Sequence, residues 1–116
     1  MSALTSTERP VDVARGLALE RAQAHRARRR DVRRELRGLD RRAGLRRAVE
    51  LVRDVPPELA SLPMEQLVMW CRWIGPQRAA RICWRAFGHQ VPSRPLGELT
   101  ARERGALEMA LLLEAS

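Results

Sequence analysis

Ten consecutive residues, Arg21 to Arg30 (RAQAHRARRR), carry no apolar side chain larger than alanine, and five of them are arginine. Such a stretch has nothing to bury. Alanine and arginine are nonetheless strong helix formers. The segment therefore predicts an exposed helix, held in place by what flanks it rather than by its own middle. On the N-terminal side, Thr7 is a candidate cap and Pro10 sits near the first turn, where its missing N–H costs nothing. On the C-terminal side Gly38 is the expected stop. Val13, Leu17, Ala24, Val32 and Leu36 keep an approximate helical stripe, with Gly16 weakening the first turns and both ends expected to dock. Residues 1–38 thus read as a basic helical arm and 39–116 as a helical domain.

The second part is punctuated into short helices. Asp40 can cap RRAGLRRAVELVRD, whose Leu45, Val49 and Val52 face one way and Arg46, Arg47 and Arg53 another. The prolines of VPPELASL end that helix. Pro63 restarts the pattern as PMEQLVMWCRW, with Leu67, Trp70, Cys71 and Ile74 as the buried stripe. Gly75-Pro76 separates it from QRAARICWRAF, where Ala79, Ile82, Cys83, Ala86 and Phe87 are core-spaced and Gly88 is a C′ stop. HQVPSRPLGEL reads as loop. Thr100 and Glu103 form a capping box opening the last helix, with Ala106, Leu107, Ala110, Leu111 and Leu113 facing inward. No alternating strand pattern of useful length occurs. The predicted fold is all-α: a long basic N-terminal helix and a compact bundle of about four short helices containing a helix–hairpin–helix-like element. Aromatic residues are only 3% of the chain, so Trp70, Trp73 and Trp84 are expected in the core, a wedge between DNA bases being the alternative.

Charge narrows the function. All 22 basic residues are arginine and the net charge is +8. Between Val13 and Arg47, 13 arginines face four acids, a net of +9, so the remainder of the chain sums to −1. This asymmetry calls for a polyanionic partner, and guanidinium forks match phosphate oxygens. Arg26, Arg29, Arg30 and Arg33 are the arm's candidate phosphate contacts. A solvated face that merely keeps the chain soluble is the plainer reading of the same run. Cys71, Cys83, His25 and His89 have no metal-ligand spacing, and the two cysteines read as buried free thiols. No paired carboxylates, Ser-His-Asp set or phosphate-binding glycine loop is present, so no catalytic residue, cofactor or small-molecule substrate is expected. MSALTSTERP has no signal-peptide core and no run approaches a membrane span, which predicts a cytoplasmic protein with no membrane partner.

The stretch RWIGPQRAARI, Arg72 to Ile82, is the most specific local feature. Glycine and proline break the chain and a helix starts at once. A helix start offers free N–H groups and a positive dipole end. Gly75 leaves room, Gln77 offers a backbone N–H, and Arg78, Arg81 and Arg85 follow on one face, a layout suited to a phosphate. The alternative is an ordinary turn between two core helices.

From about Thr7 to Glu114 the chain resembles the actinobacterial integration host factor family, in its Ala/Arg-rich first helix and in PELASLPMEQLV, WIGPQRAARI, VPSRPL and TARERGALEMAL. The resemblance implies a domain related to the helix–two-turn–helix fold and a non-enzymatic nucleoid protein. Such proteins bind double-stranded DNA with little sequence preference, bend or compact it, and can assist phage integration. It further implies that Gly75, Gln77, Arg78 and Arg81 grip the DNA backbone, with Arg94 before the last helix and Arg102 and Arg104 in its first turns. Two places depart from the family pattern. SRPLGEL carries Pro95 and Glu98 where basic or small residues are usual, and Trp73 stands where a hairpin of this kind has its first glycine.

The expected function is therefore architectural: double-stranded DNA held through its phosphates by the arm and the hairpin, with a bend between them and a monomeric state allowed. An RNA- or ribosome-associated basic helical protein is the alternative. A membrane-docked arm is disfavoured by the lack of bulky apolar residues between Glu20 and Asp31.

Overall fold

The long helix docks by a narrower seam than its sequence stripe suggests. In the computed structural model, which describes residues 10–89 and 92–116, α1 runs from Pro10 to Gly38. At 1.5 Å per residue it is about 44 Å long. Ala22, His25 and Arg29 are half-buried and Val32 and Leu36 fully buried, a 3-4-3-4 spacing that keeps one line of the helix against the bundle. Val11, Val13, Leu17 and Leu19 are exposed. The expectation that both ends dock is corrected accordingly. Val13, Leu17 and Ala24 lie outside the 22-25-29-32-36 line, and only the C-terminal half of α1 has a bundle beside it. The cap expected at Thr7 lies outside the described residues. The molecule is elongated as a result, 66 × 28 × 22 Å.

Four further helices make the bundle: α2 Arg41–Arg53, α3 Met64–Trp70, α4 Pro76–Phe87 and α5 Ala101–Ala115. Short 3-10 turns at Pro57–Leu59 and Leu96–Glu98 sit in the two longer connections. The architecture is all-α, as the pattern predicts. Asp40 caps α2, its carboxylate accepting from the Ala43 N–H at 2.8 Å. The capping box of α5 is complete, with Glu103 N–H donating to the Thr100 hydroxyl and Thr100 N–H to the Glu103 carboxylate. That backbone bond, and then Arg94, holds the Glu103 carboxyl below its usual range. Its contribution to α5 is present at neutral pH and lost as falling pH protonates it.

Leu45, Val52, Leu59, Met64, Leu67, Val68, Ile82, Leu96, Leu107 and Leu111 form the centre of the core, and Val32 and Leu36 of α1 belong to it. α2 and α5 run antiparallel, with Arg41 paired to Glu114 at one end and Arg53 to Glu108 at the other. Arg47 ties α2 to α1 through Glu35. Leu113 is exposed, contrary to expectation, because 107-110-111-115 is the line that faces α2 and α4.

The segments around both long connections interlock. Met64 N–H donates to Arg94 C=O, Leu96 N–H to Leu62 C=O and Gly97 N–H to Ala60 C=O, with Pro63 and Pro95 bridged antiparallel. Gly97 is needed there for close approach: a Cβ would lie 2.9 Å from the Ala60 Cβ and 3.0 Å from its carbonyl oxygen.

The hairpin between α3 and α4 departs most from its sequence pattern. α3 was expected to run through Trp73 but ends at Trp70. Cys71 N–H still reaches Val68 C=O, and Ile74 N–H then turns back to Cys71 C=O. Trp73 adopts φ +68, the one positive φ outside glycine among the described residues. A bulky side chain in that region costs on the order of 1–3 kcal/mol. The turn buries Cys71 and Ile74 and throws Trp73 outward, 76% exposed. Trp84 is also partly exposed, two positions beyond Ile82 and off the buried stripe of α4. Only Trp70 fills the core as all three were expected to.

Replacing Gly97 with valine should lower stability by about 1–3 kcal/mol, the usual cost of forcing extra atoms into a packed site. Gly75→Ala, where a Cβ meets nothing within 4 Å, should stay within about 0.5 kcal/mol of wild type. Urea midpoints of the two variants measure both.

Candidate nucleic-acid interface

Beside its docking seam, α1 presents an edge of arginine. Arg26, Arg30, Arg33 and Arg37 recur at intervals of 4, 3 and 4, so at about 100° per residue they fall within roughly 60° of one another. Asp31 and Glu35 fall well round the helix from that edge. Arg30, Arg33, Arg34 and Arg37 line one shallow trough of about 500 Å³. Arg37 also lines an adjoining hollow of about 350 Å³ with Arg72, Trp73 and Gly75 of the hairpin. The arginine edge therefore continues onto the hairpin through Arg37. Among the described residues, no carboxylate lines either hollow. Among the described residues, Arg26, Arg30, Arg33, Arg34, Arg37 and Arg72 take part in no ion pair.

Arg29 is placed differently. It lies on the docking seam, where its Nε donates to the Glu58 carbonyl at 3.2 Å and its Nη2 to the Ser61 hydroxyl. Arg28 approaches the Glu58 carboxylate at 3.9 Å. Arg29 fastens α1 to the 57–62 connection.

The start of α4 is open. Gly75 caps it in extended conformation, with φ −89 and ψ 179, and no side chain supplies a cap bond. Pro76 takes the first helical position, and the first amide with a helical acceptor is Ala79, bonded to Gly75 C=O at 3.0 Å. The N–H groups of Gln77 and Arg78 precede any intrahelical acceptor. Neither the backbone angles nor neighbouring atoms require glycine at 75; its absent side chain leaves the approach to these amides clear.

On the adjacent face of α4, Arg78, Arg81 and Arg85 line a hollow of about 140 Å³ with Glu114 of α5. Glu114, only 14% exposed, lies 2.7 Å from Arg41 Nη2, 3.4 Å from Arg78 Nε and 3.7 Å from Arg85 Nη1. Three guanidiniums share this carboxylate with a fourth, Arg81, at the rim, so the cluster keeps a surplus of positive charge. The Nε of Arg41 is buried there without a hydrogen-bond partner. Chemically the cluster is a cradle for an anion.

Arg102 and Arg104 lie at the opposite end of α5 from Glu114, twelve and ten residues away or about 18 and 15 Å along the axis, and point to different sides of the helix. Arg94 is held by Glu103 and by the Glu98 carbonyl, 3.1 Å from its Nη2. Arg102 is exposed and Arg104 half-buried. The structure thus joins Arg26, Arg30 and Arg33 with the hairpin, and Gly75, Gln77, Arg78 and Arg81 with one another. It places Arg94, Arg102 and Arg104 away from both. Sequence reasoning missed Arg34, Arg37, Arg41 and Arg72. The 4-3-4 spacing from Arg26 carries the signal for Arg37. Nothing local marks Arg41, whose place depends on how α2 and α5 pack.

The remaining reactive groups are quiet. Burial pushes both cysteine thiols up to about 12, so neither is a thiolate at neutral pH. Among the described residues no group of His, Cys, Asp and Glu could hold a metal ion, and no helix is long and apolar enough to cross a membrane. No family model, curated protein or solved structure matches the chain.

Removing the carboxylate tests the cradle. Glu114→Ala should cost about 1–3 kcal/mol at low ionic strength, the usual loss for charge-assisted bonds. Sulfate should restore more stability to the variant than it adds to wild type, when chloride of equal ionic strength does not. Thermal melts in the two salts read the difference.

Proposed function

We propose that this protein is a double-stranded DNA-binding, DNA-bending architectural protein that holds the duplex through its phosphates with little regard to sequence. The observation that carries the reading is the unpaired arginine edge of α1 running through Arg37 onto the open start of α4. Phosphates repeat along a duplex every few ångströms, and an edge of regularly spaced guanidiniums on a rigid helix meets several at once. The 66 Å long axis corresponds to about 19 base pairs at 3.4 Å per step. The resemblance of WIGPQRAARI and the basic first helix to the actinobacterial integration host factor family points the same way. The exposed side chains along that edge of α1 are arginines at phosphate-like intervals, which favours backbone contact over base reading.

Two groups of basic residues support the bending part of the proposal. The Arg41–Arg78–Arg81–Arg85 cradle and the Arg94–Arg102–Arg104 group lie at opposite ends of the bundle, with α1 alongside. On this reading a duplex that touches both groups as well as the arm bends to do so. Smooth bending of a short site costs on the order of 1–6 kcal/mol, which added phosphate contacts offset. The reading entails a non-enzymatic role on the nucleoid.

Titration of an end-labelled random 25-base-pair duplex at several salt concentrations tests this. About six to ten phosphate contacts predict a slope of log affinity against log salt of about −5 to −9. Energy transfer between the duplex ends should rise on binding. The double substitution Arg33→Ala, Arg37→Ala should flatten the slope by about 2. Affinity indifferent to salt would remove the electrostatic basis. Displacement of the duplex by equimolar A-form RNA would move the reading to RNA.

A further inference from the structure

We infer that Trp73, with Arg37 and Arg72, forms a stacking site for a single unpaired base, so that the protein prefers DNA carrying an extrahelical nucleotide over a perfect duplex. The inference rests on the DNA-binding reading above and names the form of DNA it favours.

Trp73 is 76% exposed in a chain with three tryptophans and little other aromatic surface. A side chain thrown outward at positive φ is not there for the core, which closes on Cys71 and Ile74 to either side of it. Its surroundings define what it would meet. The Arg72 guanidinium carbon sits 5.6 Å from the ring centroid, a cation–π distance that steadies the indole and leaves it flanked by positive charge. The ring borders a hollow that it lines together with Arg37, Met69, Arg72, Ile74 and Gly75, among the described residues without a carboxylate. An indole beside two arginines and two apolar side chains suits a flat π-faced group joined to phosphates. A base stacks on the indole while its phosphates meet Arg37 and Arg33. In a perfect duplex every base is already stacked and pairing must be broken to supply one. An extrahelical base carries no such cost.

The positive φ also provides the control. Glycine adopts φ +68 without strain, so Trp73→Gly should melt at or above the wild-type temperature while lacking the stacking surface. Wild type, Trp73→Gly and Trp73→Phe are titrated with one labelled 25-base-pair duplex, perfect or containing a single-nucleotide bulge. Wild type should bind the bulged duplex at least fivefold more tightly, the low end of what stacking one base contributes. Trp73→Phe should keep part of that preference. Trp73→Gly should bind the perfect and the bulged duplex with equal affinity, showing no preference between them. Equal binding of both duplexes by wild type overturns the stacking site and leaves the DNA-binding reading standing. A preference that survives in Trp73→Gly also overturns it. Failure of wild type to bind either duplex sinks both readings. A wild-type dimer in sedimentation that Trp73→Gly converts to monomer would assign the indole to a second copy of the chain and overturn the inference.

Discussion

The docking of the last turns of α1 onto the bundle is the contact on which the rest of the molecule depends. Val32 and Leu36 enter the common core, and Arg29 secures the same seam through Glu58 and Ser61. Helices that bury one side chain per turn set their own rotation, because a shift of one residue would turn that line away by about 100°. Fixing the seam thereby fixes the arginine edge beside it. Arg37 lands next to the α3–α4 hairpin, and Arg26, Arg30 and Arg33 extend the line outward along a helix with nothing else to bury. The exposed arm and the buried core are thus two consequences of a single packing choice.

Charge is distributed to match. Carboxylates are spent on arginines that hold the fold: Glu35 and Glu50 on Arg47, Glu108 on Arg53, Glu103 on Arg94. Each such surface pair is worth about 0–1 kcal/mol, so their main effect is to neutralise one face locally. Among the described residues, Arg26, Arg30, Arg33 and Arg37 of α1 and Arg72 of the hairpin are paired with no carboxylate. Self-repulsion among those guanidiniums is a standing cost that a polyanion relieves, which is why the proposed function places the partner there.

Much of this was legible in the residues. Gly38, Asp40, Gly88 and the Thr100–Glu103 box mark helix ends by local chemistry, and the structure uses them as such. The buried lines of α2 and α4 follow directly from spacing. What failed was of another kind. Val13 and Leu17 read as core because periodicity reports a face without reporting whether anything lies opposite it. Trp73 and Trp84 read as core because size and scarcity favour burial, whereas the turn at Cys71–Ile74 decides where Trp73 points. Arg29 and Arg26 look alike in sequence and differ by one side of a helix. The Glu114 cradle depends on the meeting of α2, α4 and α5, and no local pattern announces such a meeting. In the hairpin, glycine occupies a position whose backbone does not need it, and tryptophan occupies one that favours glycine. Conflicts of this sort between local rule and observed residue gather at functional sites.

On the proposed function, one continuous surface, from the arm through Arg37 to the start of α4, meets the polyanion. Backbone amide NMR of the 15N-labelled protein with and without a short duplex tests it residue by residue. The largest shift changes should cluster at residues 26, 30, 33 and 37, at 72–75 and at 77–81, with little change at 45–52 in the core of α2. Changes confined to residues on the far side of α1, around Asp31 and Glu35, or confined to α2, would contradict it.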